Sequence, residues 1–265
     1  MKIYEIFDDE NKISIGVLLY YEKQRSFIIE LQESLDEWSA PLLLTNFVKK
    51  GIYTIPKEIS FMWVQERIIP SGRQNIGDIL NRYKLKSYDE MKLLELSEGR
   101  CSQDNLFIRK IDELPDYVIA RQKKTVVECL IRENNTILCF FADESVRKVD
   151  LSKLVEVEGV EKIIANEVLF QSGKVGTGGY SVVFNDSIDI PAAVLYETGV
   201  KIPIKLSDFI AFIRKNVYDT TESCYMLECS RQNISYLVKQ QQLSPVKEEV
   251  KGNLYLKGDI INNQW

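Results

Sequence analysis

The residues with the most directed chemistry lie close together near the C-terminus: Ser230, Arg231, Gln232, Asn233, Tyr236, Lys239 and Gln240. An arginine offers two parallel donors to a guanine edge, and Gln and Asn each pair a donor and an acceptor with adenine. Tyrosine and lysine suit phosphate oxygens, which fix register without reading sequence. No acidic residue occurs between Ser230 and Gln242. At helical spacing these side chains share the face opposite Ile234, Leu237 and Val238, so one short helix would carry them all outward.

Two helices and a turn are needed to present such a face. Thr220 or Thr221 is expected to cap a helix ending near Leu227, and Glu228-Cys229 to form a tight turn. Ser230 then caps a second helix from Arg231 to about Gln241. Cys224, Leu227 and Cys229 supply apolar partners for Ile234, Leu237 and Val238, the spacing that steeply crossing helices require. Leu243 and Val246 extend that core. VKEEVKGNLYLKGDI reads as a small β-wing turning at Lys251-Gly252-Asn253, with Asp259 capping a final helix.

The segment resembles the excisionase and MerR-like winged helix-turn-helix family. The likeness lies in Ser230-Arg231-Gln232-Asn233-Ile234, in Leu243 with Pro245-Val246, and in Tyr255-Leu256 with Asp259-Ile260. It implies that the second helix reads DNA and that the wing, through Lys251, Asn253 and Lys257, touches the backbone. The alternative is a helical hairpin whose polar face contacts protein.

Other chemistry is sparse. The chain has no histidine, which excludes His-based acid–base catalysis, Ser-His and Cys-His pairs and His-containing metal sites. Cys101, Cys129, Cys139, Cys224 and Cys229 lack zinc-knuckle or disulfide-framework spacing and read as structural. Gly173–Tyr180 (GKVGTGGY) lacks the Lys-Ser/Thr ending of a phosphate loop and reads as a hairpin turn. Arg67, Arg73 and Arg100 stand in turn-rich segments, with Asp104 nearby in sequence. They form either buried ion pairs or an anion- or partner-binding patch. Asp8-Asp9 and Glu248-Glu249 read as solvated.

The elements upstream fall into two blocks. Residues 1–111 open with period-2 segments, KIYEIF, SIGVLLYY and RSFIIEL, that read as strands. After Pro41 the pattern turns helical. NIGDILNRYKL places Ile76, Ile79, Leu80 and Tyr83 on one face. YDEMKLLELS follows, with Ser87 as cap and Glu90 completing a capping box. This block is similar to the N-terminal subdomain of HipA-type toxins, through Glu66–Asn75 and Gly99–Asp104, without the kinase body.

Residues 112–200 begin with three strands in a meander, TVVECLI, TILCFFAD and SVRKVDL, and continue with a short helix over LSKLVEVEGV. Pro191 starts a helical turn that Gly199 ends. This block resembles domain-of-unknown-function family 2442, through Phe141-Ala142-Asp143, Val149-Asp150-Leu151, Phe184-Asn185-Asp186, Ile188-Asp189-Ile190 and Leu195-Tyr196-Glu197. Residues 201–265 start with an amphipathic helix, LSDFIAFIRKNV, capped at Ser207, with Phe209, Ile210, Phe212, Ile213 and Val217 as its apolar stripe.

The 265 residues carry a net charge of −5, against wholesale coating of nucleic acid, so any DNA contact needs a local basic face on an acidic body. No apolar run reaches membrane-spanning length, and the N-terminus has no signal-peptide pattern, so a cytoplasmic location is expected. The expectation is a modular α+β protein. It has a mixed N-terminal domain (1–111), a small β-rich middle domain (112–200) and a helical linker with a C-terminal winged helix-turn-helix (201–265). It is expected to bind double-stranded DNA site-specifically, as a homodimer and transcriptional regulator, without enzymatic activity, cofactor or metal. The first two domains supply dimerisation, a ligand sensor or a protein partner site. Two other readings are a protein-interaction adaptor, antitoxin-like or directed against a phage or host factor, and an enzyme built around Arg67, Arg73, Arg100 and Asp104.

Overall fold

The computed structural model describes residues 1–204 and 206–247. The chain is mixed α and β and forms two compact units, Met1–Ile202 and a second beginning at Pro203. Among the described residues, no helix is long and apolar enough to cross a membrane.

The first unit starts with a meander, β1 (Lys2–Asp8), β2 (Ile13–Tyr21) and β3 (Ser26–Leu31), where the period-2 segments place strands. A short strand β4 (Thr54–Ile55) adds to β3, and β5 (Leu106–Ile111) pairs with β1. The antiparallel order is β4-β3-β2-β1-β5. A register shift at Ile6/Phe7 bulges β2, and Gly16 sits there because a Cβ would come within 2.2 Å of the Glu30 carbonyl oxygen.

Both faces of this sheet are covered. Tyr4, Ile6, Ile15, Leu18, Phe27, Ile29 and Leu31 pack with α1 (Thr45–Lys49), α2 (Lys57–Gln65) and α4 (Glu90–Leu96). Between those last two helices lies α3 (Ile76–Arg82), which buries nothing completely: Ile76, Ile79 and Leu80 are half-buried and Tyr83 is exposed. Asp89 caps α4, accepting from the Lys92 N–H at 2.9 Å, and not Ser87 as expected. Asp89 sits in extended backbone directly before the first helical residue, where its carboxylate reaches the third N–H.

The opposite face, Val17, Leu19 and Ile28, is covered by Val118 of α5 (Asp116–Gln122) and by Tyr117, Leu114 and Tyr180. Residues 112–115, at the expected boundary between the first two blocks, therefore lead into a helix that packs back on the first sheet, and Met1–Ile202 is one compact body.

The remainder of this body contains β6 (Val126–Arg132), β7 (Thr136–Phe141) and β8 (Val146–Asp150), the expected meander, closed by β12 (Val200–Lys201) in the order β12-β8-β7-β6. Alternate residues Cys129 and Ile131, then Ile137, Cys139 and Phe141, face a second core with α6 (Val160–Ile164), α7 (Glu167–Gln171) and α8 (Ala192–Thr198). A three-stranded sheet, β9 (Lys174–Val175), β10 (Ser181–Phe184) and β11 (Ile188–Pro191), completes it.

The helix expected over LSKLVEVEGV is only a 3₁₀ turn at Leu151–Lys153. The α-helix begins at Val160, after Gly159 enters the left-handed region at φ +84°. The glycine-rich stretch forms a turn between β9 and β10. Gly179 is required there: φ is +76° and a Cβ would lie 2.4 Å from the Val126 carbonyl oxygen.

The second unit contains α9 (Leu206–Asn216), α10 (Thr220–Met226) and α11 (Arg231–Lys239). Helix α9 begins at Leu206, so Ser207 lies inside it and is not its cap. Ile210, Phe212, Ile213 and Val217 of the expected stripe are half-buried.

Candidate nucleic-acid interface

Helix α10, a turn and α11 pack together within the second unit. Helix α10 is held by a capping box: Asp219 accepts from the Glu222 N–H at 2.8 Å while the Glu222 carboxylate accepts from the Asp219 N–H at 2.8 Å. The cap is thus Asp219, one residue before the expected threonines, because its carboxylate reaches back from extended backbone and fits an N3 glutamate. The helix ends in a Schellman turn. Glu228 adopts φ +50°, the Cys229 N–H donates to the Cys224 carbonyl at 3.0 Å, and the Glu228 N–H donates to Tyr225 at 3.3 Å.

Ser230 caps α11, its hydroxyl accepting from the Asn233 N–H at 3.3 Å. Ile234, 7% exposed, anchors the inner face, with Leu237, Val238, Cys224 and Cys229 half-buried. Leu227, Leu243 and Val246, expected among the inner residues, are exposed, Leu227 at 48%.

The expected outer face is outward. Ser230, Arg231, Gln232, Asn233, Tyr236, Lys239 and Gln240 are all exposed. Arg231 also donates from Nη2 to the Thr221 hydroxyl at 3.1 Å, so its guanidinium is held across the mouth of the turn. The wing, with Lys251, Asn253 and Lys257, the cap at Asp259, and the motif residues Tyr255-Leu256 and Asp259-Ile260 lie outside the described residues. Tyr225 and Val246 are 84% and 85% exposed, which gives this unit apolar surface beside its polar helix.

The three arginines of the first block do not share one open patch. Arg67 is buried: its guanidinium stacks on the Trp63 ring at 3.7 Å, donates to the Trp63 carbonyl at 3.0 Å and pairs with Asp104. Loss of hydration lowers the Arg67 pKa against the opposing pull of Asp104. Arg100 is half-exposed, lies over Phe107 and pairs with Asp9 at 3.6 Å. Arg73 is exposed in the turn before α3. The Arg67 guanidinium is thus occupied by Trp63 and Asp104 within the fold.

Among the described residues, the most buried ionic group is Glu30, which no sequence motif marks. Glu30 is 0% exposed, and its carboxylate accepts from Arg121 Nη1 and Thr54 Oγ1, both at 2.8 Å. Burial raises the Glu30 pKa, and the hydrogen bonds from Arg121 and Thr54 oppose it. Burial, and then the Glu30 charge, push the Tyr180 phenol far up, while burial takes Tyr117 to about 12. In RSFIIEL, Glu30 occupies the face that alternation assigns to solvent. Only the later packing of α5 and Tyr180 encloses it.

Among the described residues, no group of three or more His, Cys, Asp or Glu side chains could hold a metal ion. Compared with protein-family models, characterised proteins and solved structures, the chain matches none.

Proposed function

We propose that the second unit binds double-stranded DNA site-specifically, with α11 in the major groove, and that the protein is a transcriptional regulator acting as a homodimer. The observation that carries this reading is the outward face of α11. Arg231, Gln232, Asn233, Tyr236, Lys239 and Gln240 are exposed on one capped helix, following a turn that sets it against α10. Those side chains combine base-edge donors and acceptors with phosphate ligands, and no carboxylate interrupts them. A symmetric pair of such units suits a palindromic site, since one small helix contributes few contacts. No residue is assigned a catalytic role.

The test is fluorescence anisotropy on a genomic fragment library, including the chain's own promoter, across a salt series. Selective binding that weakens with salt and is lost in Arg231→Ala/Asn233→Ala supports the reading. A folded protein with no selective binding at low salt overturns it. The second reading, an adaptor that uses the helical pair as a scaffold, draws on exposed Tyr225, Met226 and Val246. It predicts a protein partner that the Tyr225→Ala variant loses and Arg231→Ala retains.

A further inference from the structure

The turn between α10 and α11 holds two cysteines in the positions of a Schellman motif whose side chains meet. Cys224 is the third residue from the helix end and Cys229 is the second beyond its cap. The 3.0 Å hydrogen bond from the Cys229 N–H to the Cys224 carbonyl joins their backbones directly. With ordinary bond lengths, that hydrogen bond limits their Cα atoms to a separation of about 6.9 Å at full stretch. Any bend brings them into the window of roughly 4.4–6.8 Å that a disulfide spans. Both thiols are reduced and half-buried, and both line one surface depression with Tyr225, Glu228 and Ser230, so a small reagent reaches them from solvent.

The chain contains an internal contrast. Cys129 and Cys139 also face each other, as register partners across β6 and β7, but they are buried and burial pushes the Cys139 thiol far up. A buried thiol held protonated is a poor nucleophile. One facing pair is therefore sealed in a core, and the other opens onto solvent at the turn that orients α11.

We propose that Cys224 and Cys229 are a reversible dithiol–disulfide site, oxidised by a low-molecular-weight organic disulfide. One thiolate attacks the reagent disulfide, forming a mixed disulfide and releasing one reagent thiolate. The second protein thiolate attacks the cysteine sulfur of that adduct, forming the Cys224–Cys229 bond and expelling the second reagent thiolate. Two protein thiols are oxidised, one reagent disulfide is reduced to two thiols, and the two protein protons pass to the released thiolates. Closure locks the left-handed Glu228 turn and with it the entry into α11, whatever α11 binds.

The experiment treats the full chain with oxidised glutathione, quenches with acid, alkylates with N-ethylmaleimide and digests with trypsin. Residues 216–231 form one tryptic peptide containing both cysteines. The expected product is that peptide two hydrogens lighter, with neither cysteine alkylated and no glutathione attached, restored to double alkylation by dithiothreitol. Cys224→Ser is expected to stop at one glutathione adduct on Cys229, which also reports whether the remaining thiol is reachable. The peptide recovered doubly alkylated, or carrying two glutathiones, overturns the proposal. So does closure no faster in the folded chain than in urea, because the turn then contributes nothing to positioning.

Discussion

Replacing Arg121 with alanine removes the cation that compensates Glu30, and the consequence can be worked from the geometry. The guanidinium donates to Glu30 at 2.8 Å and to Glu33 at 3.2 Å, and it lies over the rings of Tyr53 and Tyr117. Stranding a buried charge by deleting its partner costs about 3–5 kcal/mol. Glu30 has a way out, which is to take up a proton. From the ordinary glutamate value of 4.5, that costs about 1.4 kcal/mol per pH unit, or about 3.4 kcal/mol at pH 7. The cheaper route sets the limit, and the raised pKa means that wild type already bears part of this cost, so Arg121→Ala is expected to lose up to about 3 kcal/mol at pH 7.

The sign of the pH dependence follows from the raised pKa. A carboxyl whose folded pKa lies above its unfolded value contributes stability that is fully present below 4.5 and is lost as pH rises through the folded pKa. Arg121 lowers the Glu30 pKa, so its removal carries that window upward. The gap between wild type and variant should shrink to the lost contacts alone near pH 4.5 and widen towards neutrality. Urea unfolding, followed by circular dichroism and the fluorescence of buried Trp63, measures it at each pH. Adding Glu30→Gln to the variant should recover most of the neutral-pH loss and flatten the pH profile. A loss under about 1 kcal/mol at pH 7, or a gap independent of pH, would refute charge compensation as the basis of this contact.

Further outcomes are accessible to the same methods. Gly179→Ala places a methyl against the Val126 carbonyl at positive φ and should cost at least about 2 kcal/mol in urea unfolding, whereas Gly77→Ala, in open helix surface, should be neutral or mildly stabilising. Arg67→Ala should cost about 2–3 kcal/mol by emptying a buried site against Trp63, while Asp104 stays exposed and keeps the Leu106 N–H, and should shift the Trp63 emission, since the guanidinium stacks on that ring. Ser230→Ala removes the α11 cap and should cost that helix about 1 kcal/mol, read as faster amide exchange at Asn233 and Ile234 with exchange in β2 unchanged. Asp143 is held at about 2, chiefly by hydrogen bonds from Ser145 and Tyr196 that outweigh its partial desolvation. Its contribution is present above the ordinary value of 3.8 and lost as pH falls through about 2, so Asp143→Asn should flatten the acid limb of the stability profile.

What was legible in the sequence was local. Alternation in KIYEIF, SIGVLLYY and RSFIIEL, and again in TVVECLI and TILCFFAD, places the strands because each has an apolar side to bury. Ser230 before a helical stripe carries its cap in its own side chain, and the outward set from Arg231 to Gln240 follows from the same stripe. Caps chosen between neighbouring candidates were less legible. Asp89 and Asp219 do the work expected of Ser87 and of Thr220 or Thr221, because backbone angles one residue away decide which oxygen reaches the N–H groups. Glu228 at positive φ carries no glycine signal, and the hydrogen bonds of the helix-ending turn hold it there while its side chain stays exposed. Least legible was Glu30, whose burial depends on α5 and Tyr180, more than eighty residues further along the chain.

The pairing of β1 has a consequence for synthesis. One side of β1 is satisfied at once by the neighbouring β2, but the other waits for β5, where Asp8 meets Leu106 and Ile3 meets Ile111. At translation rates of roughly 5–20 residues per second, about 5–20 seconds separate the two strands. Through that interval the nascent chain presents an unpaired, β-prone edge containing Ile3 and Phe7, open to pairing with any extended segment nearby. Pauses that lengthen the interval before residue 111 should therefore lower the yield of folded chain more than equal pauses placed after it.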